Sequence, residues 1–177
     1  MLVSTNEHRV RPMEEFDLDC VLQWRNSEHV RRYMYTRHQI QADEHRAWFS
    51  RKSIDPAWHL LIFEQDRVPQ GYVSIHVAGP GGVAEWGFYA APDAPKGAGK
   101  ALGIDALDHC FSTLRLQRVW GQCLASNLAS VRLHERMGFS REGELRNHHF
   151  NGQTYENVFW FGILAYEWPQ ARTRLLT

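Results

Sequence analysis

Apolar positions along the chain recur with two different periods, and the changes of period mark the elements. His8 to Met13 alternates and ends near Pro12, which predicts a short first strand. Phe16, Val21, Leu22 and Trp24, with acids early and Arg25 late, predict a helix over about Glu14 to Asn26 whose charge order suits the helix dipole. Arg25 to Tyr35 continues as a short helix or turn, and a third helix is predicted over Asp43 to Lys52, carrying His45, Trp48 and Phe49. Trp58 to Gln65 is a nearly continuous apolar run, as expected of a strand covered on both faces. Asp66 to Gly71 reads as a turn and Tyr72 to Val77 as the returning strand, with Tyr72, Ser74 and His76 on one face. Val83 to Ala90 is a further strand, on which Glu85 shares a face with Gly87 and Tyr89. A carboxylate amid Val83, Trp86 and Phe88 must be solvated, paired or functional, and Gly87 can admit a bulge that splays this strand from the next.

In the second half, Ile104, Leu107, Phe111 and Leu114 predict an amphipathic helix over about Ala98 to Leu114. Gln117 to Ala125 reads as a strand with Trp120, Gln122 and Leu124 opposite Val119 and Cys123. After a helix following Asn127, Phe139 to Asn147 and Thr154 to Tyr166 predict an antiparallel pair joined by His148 to Gln153, where Asn151-Gly152 is a strong turn signal.

Candidate chemistry concentrates between Ala94 and Phe139. Gly97 and Gly99 open a helix, so unshielded N–H groups and the positive end of the helix dipole can face a phosphate, with Lys96 and Lys100 adding charge. A P-loop would need Gly and Ser or Thr where Ala94 and Ala101 stand, and a dinucleotide fingerprint would need Gly at Leu102. Both patterns fail, and on the loop alone a plain helix start with flexible glycines is an equal alternative. The second half of the stretch is Asn127-Leu128-Ala129-Ser130, closing eight residues later on Gly138-Phe139. Together the two motifs resemble the acetyl-CoA site of the GNAT acetyltransferase superfamily, and the resemblance extends from the strand at Arg9 to the strand at Phe161. Two positions depart from it: Ala94 stands where the family usually has Arg or Gln, and His134 where it often has a proton-donating Tyr.

The resemblance implies an α/β (α+β) fold: a mixed, mostly antiparallel twisted sheet of six to seven strands, about four flanking helices, and a V-shaped opening between the two central strands. It implies acetyl-CoA as cosubstrate, held by the backbone of Lys96, Gly97, Ala98, Gly99, Lys100 and Ala101 at the pyrophosphate. Phe88, Tyr89 and Ala90 would lie along the pantetheine, with Asn127 and Ser130 opposite. Acetyl transfer needs a neutral amine, a thioester in line with it, donors for the oxyanion and a proton for the sulfur. Glu85 through water, with Ser74 as relay, is the candidate base and His134 the candidate acid; the alternative is that His134 merely packs beside the cosubstrate and water protonates the thiolate.

Trp24-Arg25-Asn26, the run Arg31 to Tyr35 and Glu44 to Phe49 resemble the amino-sugar nucleotide acetyltransferases of pseudaminic acid biosynthesis, which acetylate the 4-amino group of a UDP-linked deoxy sugar. That resemblance would place Met34, Tyr35 and Phe49 against the apolar side of the deoxy sugar and Arg25 and His45 near nucleotide or phosphate, with Tyr33 and Trp48 as further substrate-binding candidates. The plain alternative is that the aromatics are core and the arginines a solvated face. N-terminal protein acetylation and a non-catalytic acetyl-CoA-sensing module are the other functional readings.

Composition narrows the setting. In 177 residues, twenty basic and twenty acidic side chains balance, which predicts a small-molecule partner rather than nucleic acid or a membrane; the resemblance implies that this small molecule is an amine. The length predicts one domain over residues 1–177. Cys20, Cys110 and Cys123 lack disulfide or metal spacing and read as reduced packing residues of a cytoplasmic chain. The ten histidines show no ligand spacing, so no metal is predicted. Exposed edge strands leave monomer or homodimer open.

Overall fold

The computed structural model describes residues 7–177. Seven strands, β1 (His8–Pro12), β2 (Trp58–Gln65), β3 (Val68–Val77), β4 (Val83–Ala90), β5 (Arg118–Leu124), β6 (Ser140–Phe150) and β7 (Tyr155–Leu164), form one sheet. Their order is β1-β2-β3-β4-β5-β7-β6. Every neighbouring pair is antiparallel except β4–β5, which is parallel. Six helices accompany the sheet: α1 (Leu18–Asn26), α2 (Glu28–Arg31), α3 (Ala42–Lys52), α4 (Ala98–Asp108), α5 (Leu128–Arg136) and α6 (Trp168–Leu176).

The alternation along β2 explains the layering. Leu60 and Ile62 join Val21, Trp24, Phe49 and Tyr72 in a core beneath α1 and α3. Leu61 and Phe63 point the other way, into a larger core with Leu102 and Leu107 of α4, Met137, Phe139 and Phe161. Each such side chain contributes roughly 1.5–3 kcal/mol of burial, so the expectation of a strand covered on both faces holds for β2. At the edge, the Arg11 guanidinium donates to Glu64 at 2.6 Å and to both Asp17 oxygens at 2.7 and 2.8 Å, tying β1 to β2 and to the turn before α1.

Several boundaries differ from the sequence expectation. The Asp66 to Gly71 turn shrinks to Asp66-Arg67, both with positive φ (52° and 64°), so β3 begins four residues earlier than predicted. Such φ values match the twist of a two-residue hairpin, but neither residue is the glycine that usually advertises it. β6 runs through His148 and His149 to Phe150, and the hairpin loop is shorter than expected. The helix expected to end at Leu114 leaves α-geometry after Asp108 and finishes in a π-turn over His109–Thr113. The first predicted helix opens as a 3-10 turn, Glu15–Asp17. Six helices replace the expected four because α2 is separate and because α6 buries only Trp168 and Ala171, too short an apolar period to stand out. Gly87 forms no bulge: it pairs in register with Ser74. β4 and β5 separate instead because their pairing stops after Val83–Arg118, Ala84–Val119 and Glu85–Trp120.

Candidate active site

Beyond the Glu85–Trp120 pair the two central strands part, and a cleft of about 1160 Å³ opens between them. That lies slightly above the roughly 300–1,000 Å³ of most small-molecule sites, in keeping with a bulky cosubstrate. Phe88, Tyr89 and Ala90 of β4 form one wall, Gln122 and Cys123 of β5 the other, and α5 contributes Ser130 and His134.

At one end lies the start of α4. Gly97 is its N-cap in left-handed conformation, φ +94°, which a side chain would strain. A Cβ added at Gly97 or Gly99 would meet nothing within 4 Å, so both glycines border open space. The amides of Ala98, Lys100 and Ala101 are engaged by the carbonyls of Pro95 and Gly97. Those of Gly97 and Gly99 have no partner among the described residues. Lys100 lines the cleft, whereas Lys96, Ala98 and Ala101 do not; Ala98 is 3% exposed and belongs to the core. Asn127 caps α5 by accepting from the Ser130 amide at 3.2 Å, which leaves its side-chain NH₂ to donate. Arg132 and Arg136, one turn apart on α5, also border the cleft. Their i, i+4 spacing after the Asn127 cap was a readable signal for a second cationic contact.

The other side of the cleft is closed by α2 and the segment after it, through His29, Arg32, Tyr33 and Met34. Tyr35 reaches past the wall: its hydroxyl donates to Gln122 Oε1 at 3.0 Å, and the Gln122 amide approaches Glu85 Oε1 at 3.4 Å. Glu85 therefore lies at the closed end of the slot, one amide from the cleft, and does not line it. The Ser74 hydroxyl faces the Gly87 carbonyl at 3.4 Å, on the cleft wall. Gln122, and Tyr72 on β3, are site residues to which the sequence reading gave no role.

Behind Tyr72 and Tyr89 lies a second cavity of about 320 Å³, bounded also by Arg25, His45, Trp48 and Glu44. Trp48 stacks on His45 with ring centroids 5.1 Å apart. Arg25 donates through Nη2 to the Thr36 carbonyl at 2.9 Å, but its Nη1 and the His45 Nε2 are buried without any partner among the described residues. Burial pushes both tyrosines far above the ordinary phenol range, so they are neutral donors. Of the expected acceptor residues, Arg25, His45 and Trp48 thus meet in this cavity and Tyr33 and Met34 on the cleft. Phe49 is 8% exposed and packs in the core under α3, on neither wall.

His134 is 2% exposed. Its Nδ1 donates to the Ser130 carbonyl at 2.8 Å, and its Nε2 accepts from the Trp86 indole at 3.1 Å. Burial lowers its pKa to about 4. A neutral imidazole with both nitrogens engaged has no proton to deliver to sulfur, so this geometry speaks against the acid role considered for it. Cys123 is similarly unsuited as a nucleophile, because burial pushes its thiol up to about 11. No group of three or more His, Cys, Asp or Glu among the described residues is arranged to hold a metal ion.

Comparison with known proteins agrees with this geometry. Residues 8–140 match the family described as acetyltransferase (GNAT) domain. The chain belongs to that family: it is an N-acetyltransferase that uses acetyl-CoA and acts on amines. It is 25% identical over 170 residues to the spermidine N(1)-acetyltransferase of Escherichia coli K12, covering 93% of this chain and 90% of that one. A prophage-derived uncharacterized N-acetyltransferase of Bacillus subtilis, YokL, is 34% identical over 85 residues, 46% of this chain and 48% of that protein. In fold, the chain resembles Vibrio cholerae spermidine N-acetyltransferase in complex with CoA and spermine (TM-score 0.85, 24% identity, 92% and 98% covered). It also resembles Mycobacterium smegmatis RimJ in complex with CoA-disulfide (TM-score 0.81, 21% identity, 94% and 87% covered). The pseudaminic acid enzymes are not among these relatives, so the finer resemblance stands apart from the family assignment. No helix among the described residues is long and apolar enough to cross a membrane.

Proposed function

We propose that the acceptor is the primary amine of a small molecule that also carries an anionic or nucleotide portion, with a UDP-linked 4-amino-deoxy sugar as the reading that fits best. The observation that carries this reading is the second cavity. An unengaged guanidinium nitrogen, an unengaged imidazole nitrogen and a stacked indole are grouped behind Tyr72 and Tyr89, at the wall shared with the cleft. Leaving such atoms buried without partners costs about 1–3 kcal/mol each, which a ligand supplying a phosphate or a base edge would recover. A polycation would gain nothing from Arg25.

In this reading the amine attacks the thioester directly. The Gly97 and Gly99 amides with Lys100 hold the pyrophosphate, Phe88 to Ala90 align the pantetheine as a neighbouring strand would, and the Asn127 NH₂ donates to it. Glu85 receives the amine proton through water, oriented by Gln122, and the thiolate takes its proton from solvent. Met34 and Tyr33 pack against the apolar side of the sugar.

The 25% identity with spermidine N(1)-acetyltransferase over nearly the whole chain favours a second reading, polyamine acetylation. Release of free CoA thiol from acetyl-CoA separates the two. The panel holds the UDP-4-amino sugar, spermidine, spermine and N-terminal peptides. Turnover with the sugar nucleotide alone, and a rise of at least tenfold in its KM for Arg25→Gln, is the expected result. Turnover with spermidine, unaffected by Arg25→Gln, replaces it with the polyamine reading, and turnover with peptides with protein N-terminal acetylation.

A further inference from the structure

The vertex of the slot holds an interaction that acyl transfer as described leaves unused. Trp86 is the first β4 residue beyond the last β4–β5 pair, and its side chain is 3% exposed. Its indole lies against the backbone of Gly121 on β5: a Cβ there would stand 2.7 Å from the ring and 3.2 Å from His134 Nε2. Nothing larger than glycine fits between β5 and this pair. The indole N–H meets His134 Nε2, whose other nitrogen is tied to its own helix at Ser130. The rings of Phe88, Phe139 and Phe161 surround the imidazole at centroid distances of 5.6, 5.0 and 4.8 Å. Trp86 itself stacks on Phe139 at 5.0 Å.

A sheet gains hydrogen bonds by closing, so two parallel strands that part after three pairs need something that prevents further pairing. We infer that the Trp86–His134 pair is the wedge that fixes the opening of the slot, so that His134 is a positioning residue, keying α5 to β4, and not a proton donor. The inference rests on the family assignment and is independent of which amine is acetylated. The wedge is directional. With Nδ1–H committed to Ser130, only the Nε2 lone pair can face β4, and only a hydrogen-bond donor on β4, here the Trp86 indole, can meet it. It also links both ends of the proposed cosubstrate site, because α5 is capped at Asn127 and β4 continues into Phe88 to Ala90.

The test is a cycle of His134→Phe, Trp86→Phe and the double variant. Its readouts are KM for acetyl-CoA, kcat, the Kd of CoA by calorimetry and the pH profile of kcat from 6 to 9. Each single variant strands one polar atom in the plug, and is expected to raise acetyl-CoA KM and CoA Kd about tenfold. Turnover at saturation is expected to stay within about threefold, with the pH limbs unmoved. The double variant strands neither atom and is expected to be less impaired than the product of the singles. His134→Gln, which keeps an acceptor for the indole, is expected to retain most of the affinity, and it serves as the probe if His134→Phe does not fold. A hundredfold loss of kcat at unchanged KM with a vanished pH limb would make His134 the acid and overturn the inference. So would strictly multiplicative singles with no rescue by Gln, which would reduce the pair to ordinary packing.

Discussion

His134 illustrates what one residue's surroundings decide. Its position eight residues after Ser126 and four after Ser130 is visible in the sequence, and so is the chemistry an imidazole could perform. Its tautomer is not, because that is set by Trp86, 48 residues away. A measurable consequence follows for stability. The folded pKa of about 4 lies below the ordinary unfolded value of ~6.5, so the unfolded chain binds the extra proton between them. The contribution is complete above pH ~6.5 and lost as pH falls toward 4, on the order of 3 kcal/mol in all and about 2 kcal/mol by pH 5. Burial lowers His45, His59 and His109 as well, so the wild-type slope is shared. The difference between wild type and His134→Gln in urea unfolding isolates it: the gap between the two is expected to narrow by about 2 kcal/mol between pH 7 and pH 5. A gap that stays constant would show that His134 does not titrate as its burial dictates. Gly97 was more legible, since a glycine before an amphipathic helix states its own reason, here φ +94°.

At the scale of elements, the sequence was readable where one period ran long and unreadable where pairing partners decide. β2, β4, α3 and α5 fall within a residue or two of the apolar pattern. The Asp66-Arg67 hairpin hid because its left-handed residues are not glycine, and the absence of a bulge at Gly87 depends on Ser74 opposite it. The segment between α2 and α3, which holds the proposed acceptor residues Tyr33, Met34 and Tyr35, is placed for a reason visible only in three dimensions. Tyr35 bonds Gln122 on β5 and meets His149 of β6 edge-on at 5.1 Å, while Arg37 donates to the Asn151 carbonyl of the hairpin loop. It is a strap from the helical side of the molecule to the far half of the sheet, with Gln122 and hence Glu85 held beneath it. Tyr35→Phe keeps the ring and removes the hydroxyl. The variant is expected to raise acceptor KM three- to tenfold and leave acetyl-CoA KM unchanged. Stability should fall by about 1 kcal/mol or less, the net value of one half-exposed hydrogen bond. Steady-state kinetics with each substrate varied in turn checks this, and an effect on acetyl-CoA instead of the acceptor would place the strap in cosubstrate binding.

For the molecule as a whole, the sheet is two halves, β1-β2-β3-β4 and β5-β7-β6, whose adjoining strands β4 and β5 share three register pairs, with the aromatic plug just beyond them. Beyond the vertex, β4 and β5 each present an edge to the slot, and edges with unmet N–H and C=O groups are the places where a sheet opens first. In the proposed mode a cosubstrate lying in the slot would pair with β4 at Phe88 to Ala90, with the α4 amides at one end and with α5 on the opposite side, and so would bridge both halves at once. Binding should therefore act on the fold and not only on the loop that holds the phosphates. At a hundredfold excess over Kd, CoA is expected to add about 2.7 kcal/mol, or a rise in Tm of roughly 5–10 °C for a chain of this size. Amide hydrogen exchange reads the same coupling locally. With CoA bound, protection is expected to rise at the start of α4, along β4 from Gly87 to Ala90 and along β5 from Gly121 to Leu124, whereas β1 and β2 change little. Protection confined to Gly97 to Ala101 would mean that the phosphate cradle holds CoA without joining the halves. Protection on both edges of the slot would make the cosubstrate the missing strand of an interrupted sheet, and would explain why a fold so weakly paired at its centre keeps that opening.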